Sequence, residues 1–387
     1  MHCHHVNLQG KGFGGGEIYV RALARALAEA GAKVTLYVAH DNPIWHGLES
    51  SAIELIQVEN VSQIEERMRY QRPTWIAFHT LAPTPVVEAL REGGHFVTAF
   101  AHMPLIDRDA RPLRSFDLVF GVSRYVISTL HSNGIERTYA EPLYGVAGID
   151  PARTLRSGQP LIARSVYDWD RRKVRDRALA AVEPLARRFL AQRKFERAAG
   201  LTLGIVSLLS PIKQFPLLFV TVAPVLARQS SVHLEIFGHG GYAQVRDLRH
   251  ALAPLGNRVR FWGHQEAVAD IYPQLDYLLT GLAEKEALGL NVLEAQACGT
   301  PVLAPDAPPF TETVLEGKSG YRYRDPRTDG GADFALLIQD IVAGTRPRPD
   351  PRVAAAEHLA SFSFEALIGR AKRLLAHIEE RVSRTPL

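Results

Sequence analysis

Two stretches of this chain combine residue types able to grip an anion and orient hydroxyl groups. The first is Gly12-Phe13-Gly14-Gly15-Gly16-Glu17, after a short strand-like segment and ahead of a helical stretch that starts at Tyr19. Consecutive glycines allow a close approach of backbone to ligand, and the helix that follows offers unpaired N–H groups and a positive dipole end to a phosphate. The same run also reads as a plain strand-to-helix turn. The second stretch runs from Glu286 to Glu294, followed by Gly299-Thr300-Pro301-Val302. Glu286 falls in the loop after an apolar strand, and Glu294 falls one turn into a helix that starts near Leu290. The two carboxylates would flank a helix N-terminus whose N–H groups, near Gly289, Leu290, Asn291 and Val292, can hold a diphosphate. Carboxylates also accept hydrogen bonds from sugar hydroxyls. Read more plainly, they are two surface glutamates at an acidic helix start.

Other chemical signals are weaker. The glycine run lacks the Lys-Ser/Thr of a P-loop, so nothing supports ATP hydrolysis. His2, Cys3, His4 and His5 suggest a metal cluster by type. A strand, however, sends His2 and His4 to one face and Cys3 and His5 to the other, so a strand at the centre of a sheet is the better reading. Asp168-Trp169-Asp170 has the spacing of a metal-holding carboxylate pair, but it lies in a basic, irregular region and is read as chance.

The elements that must position these residues alternate between strand and helix. Val34 to Val38, Trp75 to Phe78, Phe96 to Phe100 and Leu118 to Val122 read as strands in the first half. Leu203 to Ser207, His233 to Phe237, Val259 to Trp262, Tyr277 to Thr280 and Pro301 to Ala304 repeat the style in the second. Helical stretches lie at Tyr19 to Ala30, Gln214 to Arg228, Leu290 to Cys298 and Phe364 to Val382. Such alternation predicts βαβ units and parallel sheets. The expected class is α/β: two Rossmann-like domains with a deep interdomain cleft and a C-terminal helix. The expected boundaries are 1–150 for the first domain, 151–200 for an interdomain segment, 201–360 for the second domain and 361–387 for the final helix.

Composition limits the function classes. The chain has 387 residues, 46% of them hydrophobic, which suits two packed domains. No run of ~18 apolar residues is present for a membrane span, and no signal-peptide pattern opens the chain. Two cysteines, Cys3 and Cys298, fit a reducing compartment, so the expected location is cytoplasmic, with contact at the inner membrane face as an option. The net charge of +4 does not point to nucleic acid. The basic character sits in one segment, 164–200, with 11 Lys/Arg against 5 Asp/Glu. Within it Val182, Leu185 and Phe189 have helical spacing and predict an amphipathic helix that packs in part. The net +6 there suggests contact with anionic lipid.

In its motifs the chain resembles the retaining family 4 glycosyltransferases of the GT-B architecture. The signature is the pair Glu286 and Glu294 with seven residues between, followed by Gly299 to Val302. Gly14-Gly15-Gly16-Glu17 resembles the family's N-terminal Gly-Gly-x-Glu, and His102 its active-site histidine. Ser123, Gly148-Ile149-Asp150, Gly238-His239-Gly240 and Gly263 match further family positions. The resemblance implies a hexosyltransferase-type enzyme, retaining and metal-independent. It would move a sugar from a UDP- or GDP-linked donor to a saccharide or lipid-linked acceptor in surface glycan synthesis. No cofactor is implied beyond that nucleotide-sugar substrate. Catalytic roles fall on Glu286, His102 and Lys213. Donor binding falls on Gly14, Gly15, Gly16, Lys213, His264, Gly289, Leu290, Asn291 and Glu294: Glu294 on the ribose, Lys213 on the diphosphate, and His264 on the base through its backbone. Acceptor contacts would come from the loops at Asn42 to Ser50 and Pro104 to Arg114. One departure stands out. Five residues before Lys213, where the family usually has an arginine, this chain has Leu208. That motivates one alternative, a non-catalytic nucleotide-sugar-binding homologue; a second, a phosphorylase or epimerase of the same architecture, is disfavoured by the pair Glu286 and Glu294.

Overall fold

A computed structural model of the chain describes residues 1–9, 14–39, 42–146, 161–169, 172–189 and 193–383. These fall into two compact units. One comprises Met1–Gly148 with Ala360–Leu387, and the other Ile149–Leu359.

The first unit is built on six parallel strands: β1 (His2–Asn7), β2 (Lys33–Val38), β3 (Ile53–Gln57), β4 (Trp75–Phe78), β5 (Phe96–Ala101) and β6 (Leu118–Gly121). They lie in the order β3-β2-β1-β4-β5-β6. The inner strands are apolar almost throughout because helices cover both faces of a parallel sheet; Trp75, Ile76, Ala77 and Phe78 of β4 are all buried. The helix Gly15–Glu29 buries Val20, Leu23, Ala24 and Leu27, a stripe at helical spacing. The C-terminal helix Phe364–Ser383 packs in this same unit, with the Arg25 guanidinium 5.1 Å from the centre of the Phe364 ring. Arg370 and Arg373 also reach Glu141 there.

The second unit repeats the plan with β7 (Leu201–Val206), β8 (Val232–Phe237), β9 (Val259–Gly263), β10 (Tyr277–Leu279), β11 (Val302–Pro305) and β12 (Gly320–Tyr323). Their order is β12-β11-β10-β7-β8-β9. Numbered within each unit, both sheets follow the doubly wound order 3-2-1-4-5-6. Strand alternation divides the core between two faces. Leu203 and Ile205 of β7 join Leu218, Phe219 and Val222 of the helix Phe215–Ala227, whereas Val206 turns toward Trp262, Tyr272 and Val292. The two parallel sheets agree with the expected α/β class.

The described part of the basic segment is joined to the second unit. Ile162 bridges Lys194, Tyr167 bridges Gly240, and the Arg164 N–H donates to the Trp262 carbonyl at 2.8 Å. The expected helix is present at Val174–Phe189. Val182 is 58% exposed and Val174 73% exposed, whereas Asp176 is buried and the Arg175 guanidinium lies over the Tyr242 ring; the side chains of Leu185 and Phe189 are outside the described part. Pro184 inside this helix removes an N–H from its ladder, and Arg172, Lys173, Arg175 and Arg177 keep this stretch in water.

Candidate functional site

In an open doubly wound sheet, ligands bind at the carboxyl ends of the two strands where the order reverses. In the second unit those strands are β7 and β10, which are adjacent and parallel. The chain leaves β7 through an extended Ser210 into a short turn, Pro211–Lys213. It leaves β10 through Gly281. A Cβ on Gly281 would lie 2.0 Å from the Lys213 carbonyl oxygen, and the Leu282 N–H donates to that oxygen at 3.2 Å. Glycine at this position is therefore what lets the two loops touch. The contact carries the Lys213 ammonium onto the Glu286 carboxylate, with both side chains mostly buried. Glu286 Oε1 also accepts from the Ala287 N–H at 3.1 Å.

Beside this pair, Gln214 adopts a left-handed conformation (φ 53°) and donates to Glu284 at 2.6 Å. Arg327 clasps Glu284 at 3.2 Å, and its guanidinium is held above its usual range chiefly by hydrogen bonds to Asp325 and then Glu284. Gly289, at φ 83°, forms the left-handed entry to the helix Leu290–Ala297. A side chain there would be strained, and it would crowd Val292 at 3.1 Å. No side chain caps this helix start among the described residues; the Val292 and Leu293 N–H groups turn to the Gly289 carbonyl, which leaves those of Leu290 and Asn291 for other acceptors. Asn291 ties the helix to the end of β7 by donating to the Val206 carbonyl at 3.1 Å. Glu294, one turn in, accepts the Tyr272 hydroxyl at 2.9 Å. Burial, reinforced by that carboxylate, pushes Tyr272 well above the usual phenol range, so Tyr272 stays a donor that fixes the orientation of Glu294. His264 is exposed after β9, its ring edge-on to His239 at 5.0 Å and its N–H 3.4 Å from the Ser165 carbonyl.

In the first unit the reversal lies between β1 and β4, likewise adjacent and parallel. Gly14 ends the loop after β1 and caps the helix Gly15–Glu29. The Glu17 carboxylate turns back to accept the Gly14 N–H at 3.0 Å. Burial raises the Glu17 carboxyl, opposed by its backbone hydrogen bonds, so Glu17 serves as a capping group. A Cβ on Gly16 would meet nothing within 4 Å, so no described neighbour demands glycine there. His102 follows β5 and sits half-buried, its Nε2 3.0 Å from His79 Nδ1. Burial lowers its pKa to about 4, so it is neutral at neutral pH. Ser123 caps the helix Arg124–Ser132, its hydroxyl accepting from the Val126 N–H at 3.1 Å. Gly12, Phe13, Gly148, Ile149, Asp150 and Asp170 lie outside the described residues.

The structure thus gathers Lys213, Glu286, Gly289, Leu290, Asn291 and Glu294 at one switch point, and Gly14, Gly15 and Gly16 at the mouth of the other. The partners that orient these groups were not legible as motifs. Tyr272 behind Glu294 has no sequence signal. His79 behind His102 does have one: adjacent parallel strands, β4 and β5, each lead into a histidine.

The profile of a family described as glycosyl transferases group 1 matches residues 200–342, most of the second unit. A D-inositol 3-phosphate glycosyltransferase of Rhodococcus erythropolis is 30% identical over 169 residues, 41% of this chain and 37% of that protein. The protein of the same name from Geodermatophilus obscurus is 27% identical over 421 aligned positions, 95% of this chain and 86% of its own length. The chain thus spans under two-fifths of the first relative and most of the second. Among solved structures, Anabaena HepE in complex with UDP and glucose superposes with a TM-score of 0.70 at 17% identity, covering 97% of this chain and 100% of that one. Two doubly wound sheets of one strand order and a glutamate pair at the second switch point accompany these likenesses: residues 200–342 match the glycosyl transferases group 1 profile, and the chain as a whole shares the fold of the solved glycosyltransferase structures.

Proposed function

We propose that this chain is a retaining, metal-independent glycosyltransferase that moves a sugar from a nucleotide-diphosphate donor to a saccharide or lipid-linked acceptor in surface glycan synthesis. The observation that carries the reading is the Lys213–Glu286 pair at the β7/β10 switch point. A donor diphosphate takes over the Lys213 ammonium, assisted by the uncapped N-terminus of the helix Leu290–Ala297. Glu286, released from Lys213, accepts hydroxyls of the transferred sugar. Glu294 takes the ribose hydroxyls. As the glycosidic bond breaks, negative charge grows on the leaving phosphate, and a preorganised cation stabilises it most at that moment. His102 contributes a neutral imidazole to the sugar, and the loop at Gly14 to Gly16 contributes N–H groups to the phosphates. The solved HepE complex contains UDP and glucose, so UDP-glucose is the first donor to test.

The test is turnover with UDP- and GDP-sugars over an acceptor panel in the presence of a chelator, with the anomeric configuration of the product read by NMR. Release of nucleoside diphosphate with retained configuration is expected. Tight nucleotide binding without turnover would favour the non-catalytic reading, which the leucine at position 208 motivates. No helix of the described residues is long and apolar enough to cross a membrane. Peripheral contact with anionic lipid is part of the proposal. It is supported by the helix Val174–Phe189, where exposed Val174, Leu179 and Val182 accompany exposed Arg and Lys. Sedimentation with anionic vesicles at low salt is the expected result, and absence of pelleting removes that part.

A further inference from the structure

Three imidazoles stand in file in the interior of the first unit. His5 lies on β1, His79 follows β4 and His102 follows β5, and these three strands are neighbours in the sheet. His5 Nδ1 is 2.9 Å from His79 Nε2, and His79 Nδ1 is 3.0 Å from His102 Nε2. His79 stacks on Phe100 with ring centres 4.5 Å apart, Trp75 meets His5 edge to face, and Tyr19 does the same to His102. Among the described residues no carboxylate, lysine or arginine hydrogen-bonds any of the three. Burial lowers His5 to about 3, His102 to about 4 and His79 well below its ordinary value. All three rings are therefore neutral near neutral pH, each with one N–H and one lone pair.

Two hydrogen bonds between three neutral rings can run in only two directions. The inner end decides between them, because His5 Nε2 is buried and has no partner. If His102 donates to His79 and His79 to His5, that inner atom is a buried orphan N–H. If the bonds run outward from His5, it is a bare lone pair. Orphaned buried N–H groups are the rarer and costlier case. The outward direction gives every ring the same tautomer, with the proton on Nδ1. On His102 the Nδ1 is the nitrogen left outside the relay, and it makes no hydrogen bond to a described residue.

We propose that His79, with His5 behind it, is a positioning residue that holds His102 as the Nδ1–H tautomer in a fixed ring plane, so that His102 presents a hydrogen-bond donor to an oxygen of a bound saccharide. The saccharide rests on the function proposed above; the tautomer does not. His79 has no direct part in the chemistry. It specifies which atom of His102 carries the proton, as a partner on one ring nitrogen always does for the other.

The experiment is nitrogen-15 NMR of the histidine rings in the full chain at neutral pH, read alongside steady-state kinetics. The expected spectrum shows His5, His79 and His102 all protonated on Nδ1. An Nε2–H ring at His102 overturns the proposal. His79→Phe keeps an aromatic ring against Phe100 and removes both hydrogen bonds. It should release His102 into a mixture of tautomers and lower kcat about tenfold, the order of one hydrogen bond, with little change in donor KM. His79→Gln keeps one donor and one acceptor and should restore the His102 signal and part of kcat. If His79→Phe leaves both the His102 spectrum and kcat unchanged, the relay is core packing alone. The wild-type spectrum decides the tautomer even if His79→Phe fails to fold. A protein that shows the expected tautomers and transfers no sugar contradicts the proposed function while supporting the relay.

Discussion

The two units share one strand order and make opposite use of it. Where the order reverses in the first unit, the strands lead to a file of neutral, largely buried imidazoles, His5, His79 and His102. Where it reverses in the second, they lead to an ammonium, Lys213, against a carboxylate, Glu286. Topology supplies a crevice in both cases; side chains set its chemistry. A charged pair held partly out of water can be exchanged for another charge, such as a phosphate. A neutral imidazole file has no charge to exchange and offers directed hydrogen bonds instead. The second unit is thus suited to an anionic leaving group, and the first to uncharged hydroxyl groups.

The largest expected effect tests the charged half of that contrast. Lys213→Ala removes the cation and leaves Glu286 partly buried without its partner. Loss of one preorganised charge-stabilising group costs roughly 10²–10³ in rate, so turnover should fall by that order and nucleotide affinity should drop with it. Glu286→Gln is expected to separate the two readouts, retaining UDP affinity by calorimetry while losing most turnover. A Lys213→Ala enzyme within a few-fold of wild-type rate would place the leaving-group cation elsewhere.

The next test concerns acid. The His5, His79 and His102 values in the folded chain lie below the ordinary 6.5. As pH falls below 6.5 the unfolded chain takes up protons that the folded chain refuses, so stability present above pH 6.5 is lost progressively down to about pH 3–4. The effect should reach a few kcal/mol, on the order set by shifts of two or more pH units. It should also be unequal, because the second unit has no comparable file of hydrogen-bonded, neutral histidines among its described residues. Trp45 and Trp75 report on the first unit, Trp169 and Trp262 on the second. With single-tryptophan variants, the denaturation midpoint of the first unit should fall more between pH 7 and 4.5. Equal falls would mean the imidazoles are wetter or more charged than their surroundings indicate.

Glu294→Ala has a smaller expected effect with two readouts. Ribose hydrogen bonds to a charged acceptor are worth about 1.5–3 kcal/mol, so UDP affinity should weaken by that amount. Tyr272 also loses its acceptor at 2.9 Å, so thermal stability should fall as well. Stability lost with affinity intact would make Glu294 a partner of Tyr272 and nothing more.

Much of this arrangement was legible in the sequence, and the exceptions have physical causes. The inner strands were readable because a parallel strand covered on both faces is apolar throughout, as in Trp75 to Phe78. The strands that were missed, Ile53–Gln57 and Gly320–Tyr323, both lie at sheet edges. There Glu54 and Arg322 can face water, and the apolar run breaks. At the site, Glu286 and Glu294 were visible because their spacing is local. The groups that orient them come from elsewhere in the chain. Lys213 and Glu286 are brought together by a glycine, Gly281, whose missing Cβ has meaning only once the two loops are in contact. The histidine file is assembled from positions 23 and 74 residues apart. The helical spacing of Val182 predicted the helix, yet Val182 itself is exposed, because periodicity shows that an apolar stripe exists and not that anything covers each of its residues.

The smallest expected effect concerns Leu208, where the charged switch point departs from the family it resembles. Leu208 lies just beyond β7 and is 45% exposed. It is not a core residue, so Leu208→Arg buries no charge, and its stability cost should stay within about 0.5 kcal/mol, as for surface substitutions generally. What the guanidinium gains depends on where the diphosphate lies. If the phosphates sit beside Lys213, the new cation reaches them from the same loop through solvent. An exposed charge pair of that kind contributes about 0.2–1 kcal/mol, so UDP should bind roughly 1.4- to fivefold tighter in low salt. The gain should shrink as salt approaches physiological strength and above, because exposed charges are screened over about 8–10 Å. UMP, with one phosphate fewer, should gain less than UDP. A folded Leu208→Arg protein with unchanged UDP affinity at low salt would show that this position does not face the donor. The second switch point would then depend on Lys213 and the helix N-terminus alone, and the contrast between the two units would rest on one cation.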